Sequence, residues 1–188
     1  MRLSDISRDH LTKAQQEVLD AIEQGPRGNG RPGLGLIGPF GAWVRGPSVG
    51  NAVQALGEAI RYHTSLPENV KEVAICTVGV HYRAKFEFAA HKRLAIQAGV
   101  REDSLNRLRD GNNPGFSGLE LMAWQFASEM LTQHTVSEAT YRQATEAMTE
   151  TGVIELVATV GYYCLISLTL NTFDIPLEDG MEDPFPED

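Results

Sequence analysis

The sequence has little of what several common kinds of site require. Its 188 residues include only two cysteines, Cys76 and Cys164, and both lie in apolar runs. A buried free cysteine behaves as a small hydrophobic residue, so the chain needs no disulfide and fits a reducing compartment. No Cys/His cluster has the spacing of a zinc site, and no Gly-x-Ser-x-Gly motif supports nucleophilic hydrolysis.

The distribution of apolar residues indicates neither an export signal nor a membrane span. The first ten residues, MRLSDISRDH, contain no apolar core of the kind found in signal peptides. We therefore expect a cytoplasmic protein. The apolar stretch from Leu156 to Phe173 is diluted by polar residues and has acidic flanks, which favours a central helix over a membrane span.

Basic residues are absent from the C-terminal tail. The formal net charge is −9, and the tail after Phe173 holds seven acidic residues and no Lys or Arg, which leaves 18 acidic against 16 basic residues elsewhere. An acidic balance repels phosphate backbones, so we expect no nucleic-acid partner. The tail is most simply solvated, although Ile175, Leu177 and Phe185 could dock on a neighbouring surface.

The apolar residues of the sequence recur mainly with a helical period. Thr12 and Gln15 form a capping-box signal, and so do Ser65 and Glu68. Lys85–Gln97 is typical of a helix that Gly99 closes. We predict an all-α bundle of seven to eight helices. The simplest organisation is one domain, with an N-terminal helix and Gly/Pro-rich segment (1–37), a core (38–177) and an acidic tail (178–188).

Half of the glycines lie between Gly25 and Gly50. Within this stretch, residues 33–38 match the Gly-x-Gly-x-x-Gly dinucleotide pattern. No strand precedes the match, Pro39 stands where the phosphate-binding helix would begin, and residues 51–56 hold no acidic group for a ribose. We interpret the stretch instead as an irregular segment whose apolar side chains cover the core or line a pocket.

The stretch KEVAICTVGVHYRAKFEFAAHKRL, from Lys71 to Leu94, holds the chemically most informative residues. Glu87 and His91 are four apart, so they share one helix face. A turn near Arg83 would bring Glu72 to the same point. A carboxylate beside an imidazole transfers protons near neutral pH without a cofactor. A purely structural interpretation stays open, because Glu72 in a first helical turn favours the macrodipole and Glu/His pairs are common on solvated faces.

This stretch resembles the carboxymuconolactone decarboxylase and alkylhydroperoxidase D superfamily. That superfamily carries a Glu, then a Cys-x-x-Cys or a substituted version of it, then a His four residues later, and Glu72, Ala84, Glu87 and His91 stand at these positions. The resemblance runs from about Gly38 to Leu177. It extends over further segments: Arg61–Pro67, His81–Ala84, Ala98–Gly99, Glu155–Val157, Gly161–Tyr163 and Leu170–Phe173.

The resemblance implies a fold, an assembly and a chemistry. The fold is the alkylhydroperoxidase D-like bundle, and the assembly is a homo-oligomer, a trimer or hexamer. Because both redox positions lack cysteine, a peroxidase activity is disfavoured and the decarboxylase branch is favoured. The implied activity is cofactor-free acid/base chemistry on a small lactone or enolisable acid, with His91, Glu72 and Glu87 as catalytic residues.

The remaining candidates would bind substrate. An anionic small molecule would need a cation such as Arg61 or Arg83, and His63, His81 and Tyr162 are further pocket candidates. His81, His91 and Glu87 lack any recognised metal-ligand spacing, so we predict no metal and no cofactor. The alternative function is a non-catalytic oligomer of the same fold. An enzyme should show His91 facing a cavity and titrating near neutrality, whereas a structural protein should show His91 covered.

Overall fold

The computed structural model describes residues 1–186, and within this range no residue lies in a β-strand. The all-α prediction is therefore confirmed. The eight α-helices of these residues are α1 (Lys13–Gln24), α2 (Phe40–Arg45), α3 (Pro47–Tyr62), α4 (Glu68–His81), α5 (Lys85–Gln97), α6 (Glu102–Arg109), α7 (Gly118–Gln133) and α8 (Glu138–Thr172). Short 3₁₀ turns occur at Arg8–His10 and Leu34–Leu36.

The described residues form two compact units. Unit 1 comprises Met1–Thr64 and Thr169–Glu178, and unit 2 comprises Ser65–Leu168 and the described residues after Glu178. The sequence predicted one domain with an internal boundary near residue 38, and that organisation stays a prediction.

Unit 1 is built around α1. The predicted capping box is present, with Thr12 as N-cap and Gln15 as its partner. The apolar face of α1 packs against Val44 of α2, and Leu36 and Phe40 from the Gly/Pro-rich segment add to the same cluster. That segment therefore covers the core of unit 1, one of the two roles predicted for it. It also contains α2, which the sequence analysis missed.

Unit 2 is built around α4, which packs against α5 and α7. Every residue of α4 from Val70 to Gly79 is buried, because the segment has no polar face to turn outward. The helix begins at Glu68 after Pro67, without a side-chain cap. The capping box predicted at Ser65 is wrong, since Ser65 N–H and Oγ–H both donate to Glu155 Oε2, at 2.8 and 2.7 Å. The carboxylate of Glu155, 90 residues further along the chain, thus binds the segment that leads into α4.

The last helix, α8, is long and apolar enough to cross a membrane, by length and composition. Central helices of globular proteins have the same property, and 56% of its most apolar 18-residue stretch is buried. The helix is interrupted at Thr149, whose φ of 66° and ψ of 167° are not helical. Absence of a membrane span stays a prediction.

Candidate active site

The site depends on a tight turn between α4 and α5. Arg83 adopts a positive φ of 47° in this turn, and Ala84 N–H donates to Gly79 O at 2.9 Å. The two helices approach closely, because a β-carbon at Gly79 would lie only 3.3 Å from the backbone of Phe88. The turn predicted near Arg83 is confirmed, and it brings Glu72 of α4 beside His91 of α5.

His91 lies between two carboxylates. Its Nδ1 is 2.7 Å from Glu72 Oε2, and its Nε2 is 3.1 Å from Glu87 Oε1. The Glu72 side chain is fully buried, the Glu87 side chain is 4% exposed and the His91 side chain is 12% exposed. All three residues that the sequence predicts as catalytic therefore meet at one point inside unit 2.

The two carboxylates set the charge of His91. Burial alone would lower the pKa of His91, but the charges of Glu72 and Glu87, and their hydrogen-bonding capacity, raise it to about 9. At neutral pH the ring is therefore an imidazolium. Titration near neutrality was the behaviour expected of His91 in an enzyme, and the raised pKa departs from it, because the charges of two buried carboxylates act on the ring together.

Glu87 is the less satisfied of the two carboxylates. Its Oε1 is close enough to His91 Nε2 for an ion pair, yet it accepts no hydrogen bond of good geometry. Buried carboxylate oxygens usually accept hydrogen bonds. Glu87 Oε1 thus has capacity for one more donor, whereas Glu72 Oε2 is held by Nδ1.

An aromatic pair closes another side of the imidazole. The ring of Tyr163 contacts His91 edge-on, with centroids 4.9 Å apart, and Tyr162 contacts Tyr163 in the same way at 5.2 Å. Tyr162 is the predicted pocket residue, but the ring that contacts His91 belongs to Tyr163. The two are identical neighbours in one apolar run, so the sequence does not distinguish them, and both are buried in the structure.

The four other predicted residues lie at the end of α4, in the turn before α5 and in unit 1. His81 is exposed at the end of α4, where its ring packs edge-on against Tyr82. Arg83 is exposed in the turn, with its guanidinium 5.2 Å from the centre of the Phe185 ring. Arg61 and His63 belong to unit 1, at the C-terminal end of α3. The substrate-binding role of all four stays a prediction.

The thiols are poorly suited to nucleophilic chemistry. Burial, and then the charges of Glu72 and Glu87, raise the pKa of Cys76 well above its usual value. Burial also raises the pKa of Cys164, against the opposing effect of a hydrogen bond with Tyr82. Both side chains are therefore neutral thiols at neutral pH. The buried Ala84, at the first superfamily cysteine position, supplies no sulfur.

Within residues 1–186, no group of three or more His, Cys, Asp or Glu side chains is arranged to hold a metal ion. The proton-transfer chemistry described for His91 and its two carboxylates needs only these side chains. The expectation that the protein uses no cofactor stays a prediction.

Comparison with solved structures relates the fold to that of an enzyme. The chain is similar to the debrominase Bmp8 in its apo form, with 14% identity and a TM-score of 0.68 over 93% of this chain and 90% of that one. It is similar to a cysteine-to-alanine variant of Bmp8 in complex with 2,3,4-tribromopyrrole, with 16% identity and a TM-score of 0.69 over 95% and 92%. No family model and no curated protein matches the sequence. These similarities show a shared helical fold.

Proposed function

We propose that this protein is a cofactor-free acid/base enzyme of the carboxymuconolactone decarboxylase type. The observation that carries the proposal is the position of His91 between two buried carboxylates, 2.7 Å from Glu72 and 3.1 Å from Glu87. Burying three ionisable groups together costs folding free energy unless the charges are well paired, and a cluster that carries this cost is a candidate for a functional role. Strongly shifted titration in a buried carboxylate–imidazole cluster is characteristic of functional sites.

Each member of the cluster has a distinct role. Glu72 accepts the hydrogen bond from Nδ1 and so fixes the orientation and tautomer of the ring. The proton on Nε2 is the one available for transfer. Glu87, with one unsatisfied oxygen beside Nε2, shares that proton or relays it to a ligand. Because the pKa of His91 is raised to about 9, the ring enters the reaction as an acid.

An acid in this position fits decarboxylation of a lactone acid or an enolisable carboxylic acid. Loss of CO₂ from the substrate carboxylate leaves its electron pair on a delocalised, enolate-like carbanion. The imidazolium then protonates carbon, and solvent restores the proton to His91. Protonation by a fixed acid contributes typically about 10²–10⁴-fold to rate. The fold similarity to a debrominase supports an enzyme, and the protonated thiols of Cys76 and Cys164 argue against a thiol peroxidase.

The test is turnover of carboxymuconolactone and related lactone or 3-oxo acids, followed by CO₂ release. His91→Gln keeps the approximate shape of the side chain but has no group that ionises. It cannot transfer a proton to the substrate, so it should reduce kcat at least about 100-fold. His10→Gln, at an exposed position in unit 1, is the matched control and should retain wild-type kcat. Equal activity of the His91→Gln protein and the wild type would exclude the proposed mechanism.

A second candidate is a non-catalytic protein of the same fold. It is favoured by the low exposure of His91, 12%, and by the engagement of both ring nitrogens with carboxylates. In that case, the cluster only joins α4 to α5. His91→Gln would then lower the thermal stability, and neither the variant nor the wild type would turn over any acid in the panel.

We also propose that the protein is a homo-oligomer, which the superfamily resemblance implies. The support is an exposed apolar stripe on α8, where Ile154, Val157 and Leu168 are 63%, 43% and 49% exposed. Gly161 lies in the same stripe, and a β-carbon there would meet no atom within 4 Å. Residues at this spacing share one helix face. A second copy of this chain is the occupant that such a face fits, as a trimer or hexamer.

A further inference from the structure

Asp183 and Phe185 of the C-terminal tail contact the beginning of α5 and the turn before it. The tail was expected to be solvated, with docking of Ile175, Leu177 or Phe185 as the alternative, and Phe185 is only 5% exposed. Its ring lies 5.4 Å from the ring of Phe88, centroid to centroid, and the central carbon of the Arg83 guanidinium lies over the Phe185 ring, 5.2 Å from its centre. Phe88 is fully buried. One aromatic ring from the tail thus occupies a place formed by an aromatic side chain and a cation.

A carboxylate from the tail accompanies that ring. Asp183 Oδ2 lies 2.6 Å from Lys85 Nζ, and Asp183 Oδ1 accepts a hydrogen bond from Phe185 N–H at 2.8 Å. The hydrogen bond from Lys85, together with the charges of Lys85 and Arg83, lowers the pKa of Asp183. The tail therefore places the Asp183 carboxylate beside Lys85 and the Phe185 ring beside Phe88 and Arg83.

The attachment has the character of a reversible contact. The side chains of Lys85 and Asp183 are 42% and 34% exposed, and ion pairs at such exposure are weak. The tail segment is irregular, with Pro184 and Pro186 on either side of Phe185. Among the described contacts, the buried Phe185 ring therefore contributes most to the attachment, and local opening of an irregular segment costs less free energy than opening of the helices.

We propose that Arg83, Lys85 and Phe88 form a binding site for an aromatic carboxylate, which Asp183 and Phe185 occupy as a tethered competitor. The ligand class follows from the occupant: the carboxylate pairs with Lys85, and the ring packs on Phe88 beneath the Arg83 guanidinium. A tether of this kind keeps its own ligand at an effective concentration of about millimolar. A free ligand then binds with an affinity reduced by the fraction of open sites.

The inference does not depend on the His91 cluster, which contains none of its residues, but it assigns Arg83 to this site and not to the substrate pocket. It is tested by binding of 3-phenylpropionate to the full chain, measured by calorimetry and by shifts of the Arg83 and Lys85 amide resonances. The Asp183→Asn/Phe185→Ala double variant should bind at least about tenfold more tightly than the wild type, since the competitor is removed. 3-Phenylpropionamide, which lacks the charge, should bind the double variant more weakly than 3-phenylpropionate does.

The matched control is the Asp179→Asn/Met181→Ala double variant, which makes equivalent changes in the same tail and should bind as the wild type does. Adding Lys85→Gln to the first double variant should remove the gain, and adding His91→Gln should leave it intact. Equal affinity of the first double variant and the wild type would overturn the inference. If the first double variant does not fold, Asp183→Asn alone must still bind at least about threefold more tightly. If it does not, the inference is wrong and the tail is a fixed part of the core.

Discussion

His91 Nδ1 and Glu72 Oε2 lie 2.7 Å apart although their residues are 19 apart in sequence and belong to different helices. Their contact depends on the close crossing at Gly79 and on the positive φ of Arg83. The hydrogen bond joins a fully buried carboxylate to a ring that is otherwise enclosed by Glu87 and Tyr163. The chemistry and the packing of α4 against α5 are therefore coupled, and changes to one should be measurable in the other.

The first prediction concerns stability against pH. The pKa of His91 is about 9 in the folded protein and about 6.5 in an unfolded chain. The protonated ring therefore stabilises the fold fully below pH 6.5, and this contribution is lost as pH rises from 6.5 through 9. At about 1.4 kcal/mol for each tenfold change in proton affinity, it amounts to about 3 kcal/mol.

Urea unfolding at pH 6 and pH 9.5 measures this loss. Cys76 also destabilises the fold at high pH, because its pKa is raised in the folded state, but it is present in every variant. The comparison that isolates His91 is therefore wild type against His91→Gln, whose stability should fall less over the same interval. Identical pH dependence in the two proteins would contradict the prediction.

The second prediction concerns Glu72→Gln. The change removes the charge that raises the pKa of His91 most, and it keeps an oxygen that can accept a hydrogen bond from Nδ1. We expect the pKa of His91 to fall, since burial then opposes protonation and only the charge of Glu87 favours it. Titration of the His91 ring protons by NMR measures it directly. Glu150→Gln, at an exposed position of α8, is the control and should leave the His91 pKa near 9.

The sequence determined local features better than distant ones. The bounds of α5, Lys85–Gln97, were predicted as observed because a turn precedes the helix and Gly99, with φ of 93°, ends it. The Ser65 cap failed because Glu155, 90 residues away, captures that serine. Two further contacts also depend on segments that are distant in the sequence, so no local pattern predicts them. Phe185 packs against Phe88, and it is Tyr163, not Tyr162, that contacts His91.

The site shows the same division. The four-residue spacing of Glu87 and His91 predicted that their side chains are neighbours. The superfamily resemblance predicted that Glu72 belongs to the same site. The raised pKa of His91 depends on how completely unit 2 excludes water from three groups at once, which is a property of packing. That is why the residues were predictable and the protonation state was not.

The third prediction concerns the interruption of α8. Thr149 has φ of 66° and ψ of 167°, a region that is essentially restricted to glycine and costs about 1–3 kcal/mol for other residues. Thr149 Oγ1 lies 3.5 Å from Gly152 N, and losing such a cap to glycine costs only a few tenths of a kcal/mol. Thr149→Gly should therefore stabilise the protein by about 1 kcal/mol and raise its Tm by about 2–4 °C.

The matched control is Thr151→Gly, two residues further on, where the exposed backbone is helical. It should destabilise the protein by a few tenths of a kcal/mol, because glycine has a lower helix propensity than threonine. Thermal unfolding followed by circular dichroism compares the two variants. A lower Tm for Thr149→Gly than for the wild type would show that the Thr149 conformation is not strained.

The last prediction concerns assembly through α8. The exposed stripe of Ile154, Val157 and Leu168 is too apolar to be left in water at no cost, since each such side chain gains about 1.5–3 kcal/mol on full burial. Light scattering at micromolar concentration should therefore give a mass three or six times the 20.6 kDa of the chain. Ile154→Lys/Leu168→Lys should give a folded protein of 20.6 kDa, because two ammonium groups would be buried in each contact. Val49→Lys, at an equally exposed apolar position of α3, should keep the larger mass. A wild-type mass of 20.6 kDa under these conditions would refute the assembly and leave the stripe without its proposed occupant.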